Sequence, residues 1–266
     1  MIRLAIAGVC GRMGSTILKL ALSDPEFEVA GGSERKDHPM LGKGLDAVQP
    51  GASTLCRIGE DLAPIIDLAD VVIDFTEPAS TLDHFKLAAD KGKAIVIGTT
   101  GLPQSALQEI SRAAHARVVM SPNMSIGVNL MFELVRRAAS ALAADYDVEI
   151  LELHHKWKKD APSGTAVRLR HVIEAARPGT SSYQVSGRDG MIGERKPEEI
   201  GVFAIRGGDI VGEHTVYFAG LGERLEITHR ASSRDNFARG ALLAAKWLFH
   251  QPAGIYDMKD VLGLIP

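Results

Sequence analysis

The first half of the chain alternates short apolar, β-branched segments with amphipathic segments of helical length. Five apolar segments predict strands, at residues 2–8, 27–34, 68–76, 93–100 and 117–123. Three segments with helical spacing lie between them, at 13–24, 78–92 and 103–116. Strands that alternate with helices in this way form βαβ units. This half therefore predicts a parallel sheet of the doubly wound type.

The pattern changes after a long helical segment at 127–145. The segments that follow look like antiparallel strands joined by glycine-rich turns, at 147–155, 182–188 and 200–232. A single helix at 161–177 lies among them, and a last apolar helix covers 236–251. We therefore expect a nucleotide-type domain, then a domain with an open sheet, and a final helix that returns to the first domain.

Composition narrows the function classes. The net charge of −3 over 266 residues offers no general attraction to nucleic acid or to an anionic membrane. Two cysteines are too few for a disulfide framework or a zinc cluster. No apolar run approaches the roughly 20 residues that span a bilayer, and Met1 leads into a strand without a cleavage site. These features predict a cytoplasmic globular protein.

A glycine-rich turn follows the first strand and opens the first helix. In "IAGVCGRMG" (6–14), Gly8, Gly11 and Gly14 are spaced as GxxGxxG. Glycines there favour a tight turn, and free amides at a helix start can hold a pyrophosphate. A dinucleotide-binding turn usually has glycine two places after the first one, where this chain has Cys10. A purely structural βα turn remains the alternative.

The second predicted strand ends at Glu34 and Arg35, about 20 residues after the last glycine of the turn. A carboxylate at this place can accept a hydrogen bond from the ribose hydroxyl of NADH, whereas an arginine can pair with the 2′-phosphate of NADPH. The pair is compatible with either cofactor. Three more strand ends carry polar residues or glycine, at 74–78, 98–101 and 121–125, which predicts a ligand crevice along one sheet edge.

The segment "ELHHKWKKDAPSGTA" (152–166) contains two histidines, three lysines and a Ser-Gly-Thr sequence within fifteen residues. His154 and His155 are adjacent, so they point to opposite faces of a strand and not at one metal ion. A solvated charge run is the alternative for the lysines. Against it stands Ser163-Gly164-Thr165 at a predicted helix start, where amides and hydroxyls can bind a carboxylate. With a titratable histidine just upstream, this predicts an anion pocket with a proton donor and no metal.

This segment is one of several that resemble a known family. The others are "GVCGRMG", "VIGTTGL", "SPNMSIGVN", "RGGDIVGEHTVYFAGLGERLEITHRASSRDNFARGAL" and "YDMKDVLGL". Together, and in this order, the chain resembles the 4-hydroxy-tetrahydrodipicolinate reductase (dihydrodipicolinate reductase) family. The resemblance implies an α/β Rossmann-like nucleotide-binding domain at 1–126 and 236–266. It also implies an α+β substrate and oligomerisation domain at 127–235, whose open mixed sheet forms a homotetramer.

The resemblance also implies a reaction and its residues. NADH or NADPH reduces a cyclic dicarboxylate on the diaminopimelate route to lysine, with hydride to ring C4 and a proton to C3. His154 is then the general acid and Lys158 its catalytic partner. The implied substrate contacts are His155, Ser163, Gly164, Thr165 and Thr100. The implied cofactor contacts are Gly8, Val9, Cys10, Gly11, Arg12, Met13, Glu34, Arg35, Phe75, Gly98, Thr99, Thr100, Ser121, Pro122, Asn123 and Met124.

Three positions depart from the family pattern. Trp157 stands where histidine is frequent, Met124 where phenylalanine is frequent, and Cys10 where glycine is frequent. Since the implied hydride and proton donors belong to different domains, we expect closure around 125–129 and 232–240. Two other classes stay open: another Rossmann oxidoreductase such as a semialdehyde dehydrogenase, although neither cysteine lies mid-chain, and an NAD(P)-binding sensor without turnover.

Overall fold

The computed structural model of the chain describes residues 1–142, 145–178 and 182–264. They divide into two compact units: the described residues of 1–126 and 235–266 form unit 1, and those of 127–234 form unit 2. The predicted helix at 127–145 and the predicted domains include a few positions (143, 144, 179–181, 265 and 266) that lie outside the described residues.

Unit 1 is built on a seven-stranded sheet in which every strand pair is parallel. Its strands are β1 (Ile2–Ala7), β2 (Phe27–Ser33), β3 (Ile58–Gly59), β4 (Val71–Asp74), β5 (Ala94–Ile97), β6 (Arg117–Met120) and β12 (Gly254–Tyr256). Its helices are α1 (Arg12–Leu22), α2 (Ala63–Ile66), α3 (Pro78–Asp90), α4 (Gln104–Arg112), α7 (Asp235–Phe249) and α8 (Met258–Val261). The strand order β12-β6-β5-β4-β1-β2-β3 confirms the doubly wound α/β prediction.

The central strands of unit 1 are buried on both faces, as parallel strands require. Every residue of β4 and β5 is buried. Because side chains alternate along a strand, Ile73 packs in a cluster with residues of α1 and α7, while Val72 packs in a second cluster with Phe85 of α3 and Ile110 of α4. The sheet therefore separates two apolar layers, and the carboxyl ends of its strands form one edge.

Unit 2 contains a five-stranded mixed sheet. Its strands are β7 (Asp147–His154), β8 (Tyr183–Val185), β9 (Glu199–Arg206), β10 (Gly212–Gly220) and β11 (Glu223–Ala231), in the order β11-β10-β7-β9-β8. Its helices are α5 (Ile126–Leu142), whose first residue belongs to unit 1, and α6 (Gly164–Ala176). The apolar core of the unit lies among α5, α6 and one face of the sheet.

The mixed sheet that the resemblance implied is confirmed, whereas the antiparallel pattern predicted from the residues is wrong for two strand pairs. β10 pairs antiparallel with β7 and β11, but β9 runs parallel to both β7 and β8. The crossover through α6 allows β9 to lie parallel to β7. Alternating apolar and polar residues look the same in either direction, so the sequence pattern could not distinguish them. The prediction also missed β3, α2, β12 and α8, which have only two to four residues each.

None of the helices in the described ranges is both long and apolar enough to cross a membrane.

Gly240 on α7 tests how tightly this helix packs within unit 1. A Cβ built there lies 1.7 Å from the carbonyl oxygen of Met124. In a helix interior, alanine is more favourable than glycine by about 1 kcal/mol. The overlap of the new Cβ with the backbone of Met124 costs more than this gain. We expect Gly240→Ala to lower the free energy of unfolding by about 1–3 kcal/mol, measured by urea denaturation.

Gly187→Ala is the matched control. Apart from chain neighbours, no described atom lies within 4 Å of a Cβ built at Gly187. This variant should keep wild-type stability. A Gly240→Ala protein more stable than the wild type would contradict the packing.

Candidate active site

The glycine-rich turn between β1 and α1 has the geometry expected of a pyrophosphate-binding turn. Gly8 has a φ of 71°, a backbone conformation that favours glycine. A Cβ built at Gly14 lies 2.0 Å from the carbonyl oxygen of Gly8, so only glycine allows α1 to approach the turn so closely. Gly11 is the N-cap of α1 and supplies no side-chain cap, which leaves the first amides of the helix suited to an anion.

A cleft of about 680 Å³ lies beside this turn. Five predicted cofactor residues line it: Gly8, Gly11, Glu34, Arg35 and Phe75. The Glu34 carboxylate accepts hydrogen bonds from the amides of Cys10 (2.9 Å) and Arg35 (3.2 Å), so it is drawn back onto the turn. The Arg35 side chain is exposed at the cleft. Acidic and basic groups are therefore both present where the second strand ends.

Cys10, the departure from the glycine pattern, is a half-buried thiol. Burial, with the nearby Glu34 carboxylate, raises its pKa to about 11. Cys10, Glu34 and His38 offer ligand atoms that all lie within 4.8 Å of one another. The thiol is nonetheless protonated near neutral pH, when it is neither a strong nucleophile nor a strong metal ligand.

A buried acid, Asp74, joins the strand ends beneath the cleft. Its Oδ1 accepts hydrogen bonds from the amide of Thr76 and from hydroxyls of Thr76, Thr81 and Thr99. Its Oδ2 lies 2.6 Å from Nδ1 of His84. Burial alone would raise the pKa of this carboxyl, but hydrogen bonds from His84 and Thr76 outweigh it and the pKa is lowered. Asp74 is therefore an ionised acceptor that organises the ends of β4 and β5.

The remaining predicted cofactor residues differ in what they can offer. The Thr99 hydroxyl is engaged with Asp74, and the side chains of Val9 and Met124 are buried in the apolar core. These three can therefore contact a cofactor through the backbone. Arg12, Thr100 and Pro122 are exposed, Met13, Gly98 and Asn123 are half-buried, and the buried Ser121 donates its hydroxyl to the carbonyl of Asn123.

In unit 2 the end of β7 carries an ion-paired histidine. Glu152 has 0% of its surface exposed. Its carboxylate lies 2.5 Å from Nδ1 of His154, accepts two hydrogen bonds of 2.8 Å from Arg206, and accepts one of 3.0 Å from the amide of Ser163. Burial by itself would raise the pKa of Glu152, but the hydrogen bonds from His154 and Arg206 lower it to about 2.

The ionised Glu152 determines which nitrogen of His154 carries hydrogen. A carboxylate only accepts, so Nδ1 of His154 must donate to it. Nε2 is then the nitrogen left for chemistry. A Cβ built at Gly212 lies 3.0 Å from this Nε2, so a larger residue at 212 would crowd it.

The predicted anion cradle lies at the start of α6. Ser163 is the N-cap, and its hydroxyl oxygen accepts from the amide of Ala166 at 3.2 Å. The same hydroxyl is within hydrogen-bond distance, 3.0 Å, of Nε2 of His214, and either group can be the donor. Burial, followed by the proximity of His154, lowers the pKa of His214 to about 3, so the ring is neutral near neutral pH. Among described residues, no atom beyond chain neighbours lies within 4 Å of a Cβ built at Gly164, so the first turn is open.

The loop after β7 holds the other predicted residues. Nζ of Lys158 pairs with the carboxylate of Asp160 at 2.8 and 2.9 Å. The His155 ring lies 5.7 Å from the Trp157 ring, and the Lys156 ammonium lies 5.3 Å from the same ring. Trp157, which is 64% exposed, is therefore a platform for its two neighbours. Lys156 and Lys159 are both exposed, as the interpretation of these lysines as solvated charges expects.

Sequence reasoning missed five residues that organise these two sites: Asp74, His84, Glu152, Arg206 and His214. A signal existed for Glu152, which lies two residues before His154 and therefore on the same face of the strand. Arg206 and His214 lie far along the chain, and only strand pairing brings them to β7.

A glycine-rich turn on a doubly wound sheet is typical of a dinucleotide-dependent oxidoreductase, and a histidine paired with a buried acid is a group suited to proton transfer. Two family models match the chain: "Dihydrodipicolinate reductase, N-terminus" over residues 2–124 and "Dihydrodipicolinate reductase, C-terminus" over residues 127–262. The chain therefore belongs to the dihydrodipicolinate reductase family, whose members are NAD(P)H-dependent.

Individual relatives agree. The 4-hydroxy-tetrahydrodipicolinate reductase of Syntrophobacter fumaroxidans is 48% identical over 99% of this chain and 100% of its own length. That of Anaeromyxobacter dehalogenans is 49% identical over 99% of this chain and 98% of its own length. The solved structure of a dipicolinate-bound dihydrodipicolinate reductase from Paenisporosarcina sp. TG-14 superposes with a TM-score of 0.79 at 26% identity, covering 97% of each chain.

The buried His214 should make the stability of unit 2 depend on pH. Its pKa is about 3 in the folded protein against an ordinary 6.5. Between these values the unfolded chain binds a proton that the folded chain does not, so stability falls as pH falls, by up to about 1.4 kcal/mol per pH unit. We expect His214→Gln to flatten this dependence between pH 6.5 and pH 5, measured by urea denaturation.

His171→Gln, at an exposed histidine on α6, is the control and should keep the wild-type slope. An unchanged slope in His214→Gln would show that this histidine is not held neutral by burial.

Proposed function

We propose that this chain reduces 4-hydroxy-tetrahydrodipicolinate to tetrahydrodipicolinate with NADH or NADPH, in the diaminopimelate route to lysine. The observation that carries the proposal is the placement of His154, oriented by an ionised Glu152, next to the open start of α6. A proton donor and a carboxylate-binding helix start within one site suit the reduction of a cyclic dicarboxylate.

The cofactor belongs to unit 1. The close approach of α1 to Gly8, the uncapped amides after Gly11 and the cleft beside them fit a dinucleotide. The helix amides would hold the pyrophosphate, and Glu34 would accept from a ribose hydroxyl. When bound, NAD(P)H supplies the hydride that adds to C4 of the unsaturated ring left after water is lost.

The dicarboxylate belongs to unit 2. The amides of Gly164 and Thr165, at the positive end of the α6 dipole, would bind one carboxylate. His155 and Lys158 would hold the substrate from the loop after β7. Lys158 already pairs with an exposed carboxylate, that of Asp160, and such a pair exchanges readily in water.

His154 would complete the reaction by protonation. Hydride addition at C4 leaves an electron pair on the enamine at C3, and Nε2 of a protonated His154 would donate the proton there. The imidazole of His154 would then regain a proton from water. The substrate thus gains a hydride from the cofactor at C4 and a proton from His154 at C3, so the two-electron reduction is balanced.

We further propose that the protein works as a homotetramer in the cytoplasm, where reduced nicotinamides are available. The open sheet of unit 2 supports self-association: no residue of β11 is buried. Ile205, Tyr183 and Leu225 expose more than two-fifths of their surface on strands of this sheet.

Replacing the proposed proton donor tests the function. We expect His154→Gln to lower kcat by about 10²–10⁴-fold, since well-placed general acids contribute that much. Turnover is followed by the loss of reduced-nicotinamide absorbance with enzymatically generated substrate, and cofactor affinity by calorimetry. Cofactor affinity should stay unchanged because His154 lies in unit 2.

An unchanged kcat in His154→Gln would reject His154 as the acid. A wild-type protein that binds NADH or NADPH but does not turn over would instead favour the non-catalytic sensor.

Arg35 tests the contribution of the second strand end to cofactor choice. We expect Arg35→Ala to weaken NADPH binding by about 10- to 100-fold, since one charge-assisted contact contributes roughly 1.5–3 kcal/mol. NADH binding should change less than about threefold, because NADH lacks the 2′-phosphate. Lys19→Ala removes an equal charge from the exposed face of α1 and is the control. Equal losses for both cofactors would remove Arg35 from the 2′-phosphate contact.

A further inference from the structure

We infer that Glu152 is the positioning residue for the proton donor. Arg206 anchors its carboxylate, which holds the His154 ring so that Nε2 is available. The same carboxylate links this ring to Ser163, the N-cap of α6. The inference rests on the proposed function, in which His154 is the acid. It assigns Glu152 and Arg206 a part in the reaction although neither is proposed to touch the substrate.

Sheet register brings these groups together. Glu152 and His154 are two residues apart on β7, so both side chains lie on the same face. The parallel pairing of β7 with β9 sets His154 opposite Arg206, and the antiparallel pairing of β7 with β10 sets Glu152 opposite His214. The arrangement is therefore a property of three adjacent strands and not of a mobile loop.

Both carboxylate oxygens of Glu152 are fully used. Oε2 accepts from Nδ1 of His154 at 2.5 Å and from Nη1 of Arg206 at 2.8 Å. Oε1 accepts from Nη2 of Arg206 at 2.8 Å and from the amide of Ser163 at 3.0 Å. Nη2 of Arg206 also donates to the carbonyl of Asp160 at 2.7 Å. Four donors from three segments leave the carboxylate no freedom to rotate, so the imidazole has one orientation.

Among the charged groups around the His154 ring, Glu152 is the acid in direct contact with it. On β7 the ring faces Glu152, on β9 Arg206, and on β10 the edge of His214, with ring centroids 5.2 Å apart. Lys158 and Asp160, on the loop that follows β7, pair with each other. Arg206 is neutralised by its bidentate bond to Glu152. Of the carboxylates in the described chain, only Glu152 is recorded in a hydrogen bond with the His154 ring.

This geometry has a chemical consequence. A preformed carboxylate stabilises the imidazolium without having to move when the proton arrives. Because the same carboxylate holds the Ser163 amide, the distance from Nε2 to a carboxylate bound at Gly164 and Thr165 is also constrained. Glu152 therefore stabilises the charged form of His154 and also fixes the distance between Nε2 and the bound carboxylate.

Glu152→Gln tests the inference, since it keeps the shape and removes the charge. We expect kcat to fall by about 10- to 100-fold, the loss typical for carboxylate partners of metal-bound histidines, and the alkaline limb of the kcat–pH profile to move to lower pH. The dissociation constant for dipicolinate should stay close to the wild-type value, because Glu152 is not proposed to touch the substrate. Glu174→Gln, which removes an ion-paired carboxylate from α6 of the same unit, is the control and should match the wild type.

Two results would overturn the inference. One is a folded Glu152→Gln protein with wild-type kcat and pH profile. The other is loss of dipicolinate binding and thermal stability with no change in the pH profile of the remaining activity, which would indicate a structural role alone. If Glu152→Gln does not fold, Arg206→Lys keeps the charge but loses the bidentate bond, and it should lower kcat at unchanged dipicolinate affinity. A wild-type kcat in Arg206→Lys would then overturn the inference.

A spectroscopic measurement separates this inference from the proposed function. The Nδ1 proton of His154, bonded to a carboxylate, should give a strongly deshielded NMR resonance that His154→Gln abolishes. Glu152→Gln should also abolish it. If His154→Gln keeps full turnover, the proposed acid is wrong, whatever Glu152→Gln does. If the resonance persists in Glu152→Gln, the positioning role is wrong even though His154 remains the acid.

Discussion

The ionised, fully buried carboxylate of Glu152 is the constraint on which unit 2 depends. Removing a carboxylate from water is costly, and here donors from His154, Arg206 and the amide of Ser163 offset that cost. These donors belong to β7, β9 and the start of α6. If one of them moved away, the buried charge would lose part of its compensation, so the three segments are held in a single arrangement. The position of the His154 ring follows from this.

Unit 1 uses the same physical device for a different purpose. Asp74, at the end of β4, is a buried ionised acceptor surrounded by the hydroxyls of Thr76, Thr81 and Thr99 and by His84. It fixes the end of β4, where Phe75 and Thr76 line the cleft of unit 1. In both units, then, a buried acid near the carboxyl end of a strand fixes the positions of neighbouring polar groups. Hydrophobic packing alone, being non-directional, would not orient these polar groups.

The candidate site was partly visible in local spacing. Gly8, Gly11 and Gly14 indicated the turn because short-range steric limits act there, and Ser163-Gly164-Thr165 indicated a helix start. The side chains of Thr99 and Met124 could not be assigned in this way. Whether they face the cleft or the interior depends on partners remote in sequence, Asp74 and Gly240. Strand direction in unit 2 was misread for a related reason, since alternation reports burial and not the identity of the neighbouring strand.

The sequence by itself determined the class of fold, the glycine-rich turn and the family, because each depends on residue types at short, regular spacings. Only the tertiary structure decided that β9 lies beside β7 and that Arg206 reaches Glu152, 54 positions earlier. It also decided that Nδ1 of His154 carries hydrogen and that His214 is neutral. These features depend on burial and on charges brought together by folding, and no local pattern of residues encodes a dielectric environment.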